Sequence, residues 1–471
     1  MIPDAKKMLL PLLRPQYVAV PEALITALAW RVFDVEVQPD PTRKHVGLLF
    51  RTNPKQTKTL TIRATEPEGE RLRAFSEALR KEGLKTSGDP ITLARAVSSS
   101  IAGVRAGKSG SQPASPITPA LALLQNMRGL QGAKNPPDFA EIIESLFRMG
   151  LPAGASSDGP AELWLASTEH RMETDPLVSA LDRAADAALL DGARQRRITD
   201  RTQRAEPWQG LFADTPFEWF ASSWTRLNEP LWVEALPARV WVDWATTVLR
   251  LSVGLGFLWE AAWYEALARE VLGLKSPTWD GVKASMASPL PWKSSRAGLG
   301  IRDVAPLLGR RVHRGDQIRG LLGEWLEDNG KQDEDFTSAL HRMHADERFC
   351  DRLAEALGSR RRTASGGNLW EAVKYALKTR ENSGPFADYY GLLQSNGRFL
   401  TVDPGTEWMA VVASLACPRP GTPTDVGAVL ASLSQLGVRP ELADLVTLLE
   451  RAGLARGSAD ADQGVVVQSA F

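Results

Sequence analysis

The sequence predicts a mainly α-helical chain of several modules: a small N-terminal α+β part, a large Trp-rich helical middle and a compact C-terminal unit. Three observations carry this. Apolar residues recur mostly at the three-to-four spacing of helices with one face on a core. Alternating, strand-like stretches are confined to the two ends. The length, 471 residues, suits about three modules, and 43% hydrophobic with 24% charged residues is an ordinary globular composition.

The first module is placed at residues 1–97. Pro21 and Glu22 open a helix with Leu24, Ala27, Leu28 and Val32 on one face. His45 to Thr52 and Lys58 to Ala64 read as strands joined around Asn53-Pro54-Lys55. Leu72, Phe75 and Leu79 mark a helix closing near Gly83. Residues 98–118, rich in Ser, Gly and Pro, read as a linker or loop.

Residues 119–385 read as helix after helix. Asn135 to Asp138 precede a helix carrying Phe139, Ile142, Ile143, Leu146 and Phe147; Asp175-Pro176 opens another, with Leu177, Ala180, Leu181, Ala184 and Ala188. Ten of the 15 tryptophans fall between Trp208 and Trp292. Aromatic platforms stack single-stranded bases, but Trp241, Trp244, Trp259 and Trp263 sit at core-like helical spacing, which favours packing. Leu321, Leu322, Trp325 and Leu326 continue the pattern.

Residues 386–471 form the last module. Asp403-Pro404 opens a helix with Trp408, Val411, Val412 and Leu415 on one face. Thr424 caps a second, rather long helix with Val426, Val429, Leu430 and Leu433. After the turn Leu436-Gly437-Val438, Pro440 opens a third, burying Leu442, Leu445, Val446 and Leu449 and closing at Gly453. Leu454 to Ser458 and Val465 to Gln468 can pair as a hairpin. This order resembles a winged helix-turn-helix domain over about 403–471. The resemblance implies that the third helix enters the DNA major groove and the hairpin touches the backbone. Yet Gly437 to Gly464 holds Arg439, Arg451 and Arg456 against five carboxylates, a net of −2. DNA affinity rests on cations that displace counterions, so protein contact competes as the use of this unit.

Lys+Arg and Asp+Glu balance at 56 each. The chain therefore has no global attraction for nucleic acid or anionic membrane, and local patches must carry any such binding. Three patches stand out: Arg194, Arg196, Arg197, Arg201 and Arg204; Arg302, Arg310, Arg311, Arg314 and Arg319 around His313; and Arg360, Arg361 and Arg362, followed by Lys374, Lys378 and Arg380. Guanidinium groups suit phosphate, and Gly309, Gly315, Gly358, Gly366 and Gly367 are expected to put parts of the last two patches in loops. The plainer alternative is a set of solvated helix ends paired with nearby carboxylates.

Catalytic signals are weak. Ala102 to Ser109 fits a relaxed phosphate-loop pattern but lacks the preceding apolar strand and the following helix. His341, His344, Asp346 and Cys350 lie close together on an expected helix, without a second ligand pair of familiar spacing. Cys350 and Cys417 make no disulfide framework. No Gly-x-Ser-x-Gly elbow stands in strand-turn-helix context, and no motif calls for a metal or cofactor. The run Met8 to Leu13 is too short for a signal core, and Asp243, Arg250, Glu260 and Glu265 interrupt the apolar stretch from Val240 to Ala268. The expectation is a cytoplasmic protein without a membrane partner: a non-enzymatic interaction or scaffold subunit of a nucleic-acid-associated assembly, for example in prokaryotic genome defence, with other protein subunits as partners. The alternatives are a stand-alone winged-helix DNA-binding regulator and an enzyme of unrecognised type.

Overall fold

The computed structural model describes residues 4–15, 23–34, 50–51, 63–64, 69–101, 115–123, 139–155, 158–189, 195–196, 208, 210–273, 277–286, 290, 303–331, 334–379, 388–457 and 465–471. The phosphate-loop-like segment, Asn53-Pro54-Lys55, Asn135 to Asp138, Trp292, Arg194, Arg197, Arg201, Arg204, Arg302 and Arg380 lie outside the described residues, as does most of the 98–118 segment. Of that segment, Ile101 and Ser115 to Thr118 are buried, and the Ser115 amide donates to the Ile101 carbonyl at 2.7 Å.

The protein is mainly α-helical. Helix α1 (Ala23–Val32) is buried on nearly every side, more completely than a one-faced pattern implies. Strand β1 (Phe33–Asp34) follows it, and β2 (Phe50–Arg51) pairs antiparallel with β3 (Arg63–Ala64). Helix α2 (Glu70–Lys81) buries Leu72, Phe75 and Leu79 and ends before Gly83, whose φ of +94° only glycine adopts readily. Then come α3 (Pro90–Ser100), α4 (Pro119–Leu123), α5 (Phe139–Met149), α6 (Pro160–Thr174) and α7 (Pro176–Leu189). The five apolar residues expected on α5 are all buried. Asp175 caps α7, accepting from the Leu177 amide at 2.9 Å. Strand β4 (Gln195–Arg196) pairs with β1.

Helices α8 (Pro216–Leu227) and α9 (Pro230–Ala235) lead into α10 (Ala238–Gly273), the axis of the fold. At about 1.5 Å per residue, its 36 residues span about 54 Å. Such a helix, apolar all round, must be enclosed. Around it lie α1, α5, α8, α11 (Trp279–Ala284), α12 (Ala305–Asn329), α13 (Phe336–Ala345), α14 (Glu347–Gly358), α15 (Ala364–Leu377) and α16 (Thr406–Ala416). The tryptophans fill this enclosure. Trp219, Trp224, Trp232, Trp241, Trp244 and Trp263 are fully buried, and Trp259 stacks on Trp263 with centroids 5.7 Å apart. Several indole N–H groups donate to main-chain carbonyls, including Trp241 to Leu227 and Trp263 to Met8.

Glycines expected in loops are placed in helices by this packing, Gly358 at the end of α14 among them. Gly309 and Gly315 lie inside α12, and Gly366 and Gly367 in the first turn of α15, not in loops. A Cβ on Gly315 would stand 2.6 Å from the Cα of Ala261 on α10. The glycine is there so that two helix backbones can touch.

The C-terminal region combines helices with small antiparallel β elements, an arrangement consistent with a winged-helix-like module. A hairpin of β5 (Leu393–Asn396) and β6 (Phe399–Val402), which the sequence reading missed, precedes α16. After α16 come β7 (Pro423–Asp425), α17 (Val426–Gln435), α18 (Leu442–Arg451), β8 (Ala455–Gly457) and β9 (Val465–Gln468). The expected terminal hairpin forms, and β7 joins it as a third strand in the order β7-β9-β8. Gly405, not Asp403, is the N-cap residue of α16, because the Asp403 amide is engaged by the Leu392 carbonyl. Asp425, not Thr424, caps α17, because Thr424 is held in β7 opposite Val467. The second helix is an ordinary ten residues. Leu442 is 58% exposed rather than buried, being the first residue of α18, beyond the reach of the core beneath Leu445 and Leu449.

The C-terminal elements are sewn to the helical body. Trp219 of α8 donates to Ser432 of α17 at 2.8 Å, Arg226 donates to the Leu415 carbonyl, and Phe471 meets Trp244 edge-on. On the far side of α10, Arg250 donates to the carbonyls of Ala376 and Lys378 and to both oxygens of Asp388.

Candidate anion-binding cleft

The second and third arginine patches meet where α12 and α15 pack together. The segment Ser359 to Thr363 joins α14 to α15, and carries Arg360, Arg361 and Arg362 to the start of α15. The Thr363 hydroxyl caps α15, accepting from the Gly366 amide at 3.0 Å. Opposite, Pro306 opens α12 and Arg310 stands one turn further along. Together they line a cleft of about 800 Å³.

The first turns of α12 and α15 both line this space. At α12 the Val304, Ala305 and Leu307 amides are taken by the Leu400 carbonyl, the Asp303 carboxylate and the Val304 carbonyl, and Pro306 has no N–H, so the cleft's positive charge comes from its arginines. Arg360, Arg361 and Arg362 are exposed, and among the described residues none has a carboxylate within ion-pair distance. Arg310 donates to the Pro306 carbonyl of its own helix. Among the described residues the carboxylate lining the cleft, Glu371, is paired with Lys374 at 2.5 Å. Trp370, half-buried, lies against Gly309, where a Cβ would come 3.5 Å from the indole.

His313 also lines the cleft. It is 8% exposed, sits against Gly366 and Gly367, and its Nδ1 has no hydrogen-bond partner. Burial holds its pKa below the usual imidazole value, and the nearby Arg362 adds to the effect against the opposing Asp316. The imidazole is therefore neutral at pH 7.

The remaining candidates are placed elsewhere. Arg311 and Arg314 turn from the cleft toward α10, where Arg314 meets the buried Glu265 at 3.0 Å and Arg311 approaches it at 3.9 Å. Arg319 and Arg14 approach the buried Glu260 in the same interface. These side chains neutralise carboxylates inside the fold, the ion-paired alternative weighed for the patch. Arg196 is exposed on β4, 3.9 Å from Glu169. Arg439 lies at a separate cavity of about 240 Å³ with Trp259, Trp263 and Trp279. Arg451 is exposed at the end of α18, and Arg456 pairs through its backbone with Val466.

His341, His344 and Cys350 span two helices rather than one. Asp346 caps α14 by accepting from the Phe349 amide at 3.0 Å, and His344 Nδ1 is 2.7 Å from the Val271 carbonyl. Among the described residues, no group of three or more His, Cys, Asp or Glu could hold a metal, and no helix is long and apolar enough to cross a membrane. The chain matches no protein-family model, no curated protein and no solved structure.

What reading the sequence missed is the role of Thr363, Gly366 and Trp370. A Thr three residues before a Gly-Gly pair, directly after an Arg triplet, was the available signal for a capped helix start that packs closely on a neighbour.

Proposed function

We propose that the protein is a non-enzymatic interaction subunit that engages nucleic acid through the cleft between α12 and α15. The observation that carries this reading is the convergence of Arg310 with Arg360, Arg361 and Arg362 in one cleft. Cations held without carboxylate partners favour phosphate, and counterion release supplies most of such an affinity. The winged-helix-like unit serves protein contact: α18 presents Leu442 to solvent beside Glu441 and Asp444, a poor surface for DNA. Other subunits of an assembly are its partners in this reading.

The test is binding of the full chain to labelled single- and double-stranded DNA and RNA over a salt series. Log affinity should fall linearly with log salt, with a slope near 0.9 per contact for duplex DNA, roughly 0.7 for single strands. Changing Arg360, Arg361 and Arg362 to Glu should abolish binding while leaving the unfolding transition intact, because all three are exposed. If Arg439→Glu and Arg451→Glu remove binding and the cleft variant does not, the stand-alone winged-helix regulator is the better reading. Deleting the C-terminal unit is a poor test, since it would strip cover from Trp219 and Trp244.

A further inference from the structure

We propose that the cleft between α12 and α15 is a seat for a phosphomonoester, the terminal phosphate of a strand or nucleotide, rather than a track for internal phosphodiesters. The inference rests on the anion-binding reading above and narrows it to one ligand chemistry.

Charge density is the first argument. Three of the four arginines are consecutive, and the fourth faces the same space from α12. A strand running through a groove places one charge per phosphate and is matched by cations spread along its path. Here the cations are gathered at one place. A terminal phosphate concentrates about −1.5 to −2 charges and three acceptor oxygens on one group, which suits that gathering.

Depth is the second argument. His313 is nine-tenths buried and forms part of the cleft's floor, its Nδ1 packed against Gly366 without accessible surface. A group at the end of a chain reaches such a position more readily than a backbone flanked on both sides by sugars. The imidazole is kept in place by glycine: a Cβ on Gly366 would stand 2.6 Å from Nδ1. Arg362, Asp316 and Thr363 are the other polar groups around it. Trp370, half-buried in the lining, offers an aromatic surface to the attached base or sugar.

The test compares ten-nucleotide single strands of one sequence, labelled at the opposite end, carrying a 5′-phosphate, a 3′-phosphate or hydroxyls only. Fluorescence anisotropy with the full chain reads affinity, and a mononucleotide and inorganic phosphate serve as competitors. One phosphorylated strand should bind at least tenfold more tightly than the hydroxyl strand. The preferred end gives its polarity, and competition by the mononucleotide at equal affinity would make a free nucleotide the ligand. The preference should drop to about threefold or less in Arg361→Gln and in Arg362→Gln. Gly366→Ala, which displaces the imidazole, should act in the same direction if its melting curve shows a folded protein. Equal affinity for all three strands, lost in the triple Arg→Glu variant, would overturn the phosphomonoester seat and leave nucleic-acid binding standing. Absence of binding to every strand and competitor at low salt would sink both.

Discussion

Replacing Arg250 by Met should destabilise the protein by about 3–5 kcal/mol, the cost of breaking a buried ion pair from one side. Arg250 and Asp388 are 3% and 2% exposed, with contacts of 2.9 and 3.0 Å between them. The guanidinium also satisfies the carbonyls of Ala376 and Lys378. In Arg250→Met the Asp388 carboxylate loses both guanidinium contacts, and the two carbonyls lose this donor. Each hydrogen bond to a charged group is worth about 1.5–3 kcal/mol net, so four lost bonds comfortably reach the lower bound even after relaxation. The double variant Arg250→Met with Asp388→Leu removes both charges, and should recover at least about 1–2 kcal/mol of the loss, because no buried charge is stranded. Urea unfolding followed by tryptophan fluorescence measures both. A loss below about 1 kcal/mol in the single variant, or a double variant as unstable as the two singles added, would refute the buried-tether argument. Arg250 holds the C-terminal end of α15, whose other end forms the cleft, so weaker cleft affinity should accompany the lost stability.

Other outcomes follow from single contacts. Gly315→Ala gains about 1 kcal/mol of helix propensity, but its Cβ would meet the Ala261 backbone at 2.6 Å. Overpacking of about 1–3 kcal/mol should win, and a stabilised variant in urea would contradict the close helix crossing. Burial, with Arg362 beside it, depresses the pKa of His313 from its ordinary 6.5. The unfolded chain therefore binds the proton more readily, so this residue's contribution is present above about pH 6.5 and lost as pH falls through its folded pKa. Stability of the wild type should fall more steeply than that of His313→Gln between pH 7 and 5, about the span in which imidazole titrates; parallel profiles would exclude the effect. Burial pushes the Cys417 thiol up to about 11, with Arg226 opposing it. Alkylation of this residue in native protein at about pH 8 should be slow, since the thiolate is the reactive form. Rapid labelling would show that its cover opens.

Periodicity carried much of the fold. The apolar faces of α5 and α16 are buried as their spacing implies, and the terminal hairpin of the last unit forms. The failures have local causes. Asp403 and Thr424 are good caps by residue type, but tertiary hydrogen bonds claim the backbone of one and a β ladder the other. Gly309 and Gly315 read as breakers because a sequence does not display the facing helix that makes a missing side chain useful. The cleft was half legible. Its arginines were visible, yet Arg310 and Arg311 are neighbours in sequence and turn to opposite tasks, one to the cleft and one to Glu265. Helical phase and a buried carboxylate on another helix decide that, and neither is a property of the local segment.

Helix α10 also governs how the chain can fold. Its cover comes from residues as far apart as Leu10, which donates its amide to Tyr264, and Phe471 on Trp244. Such non-local contacts slow folding, because distant segments must be closed before they reward one another. During synthesis α10 leaves the ribosome before α12 and α15 exist. At about 5–20 residues per second, the roughly 100 residues from Gly273 to Leu377 keep its tryptophan-lined sides uncovered for about 5–20 s. The same helix that organises the finished molecule is thus its main exposure to aggregation while it is being made, and yield should rise with holdase chaperones, and fall when translation from Gly273 to Leu377 is slowed, more than it follows the stability of the folded state.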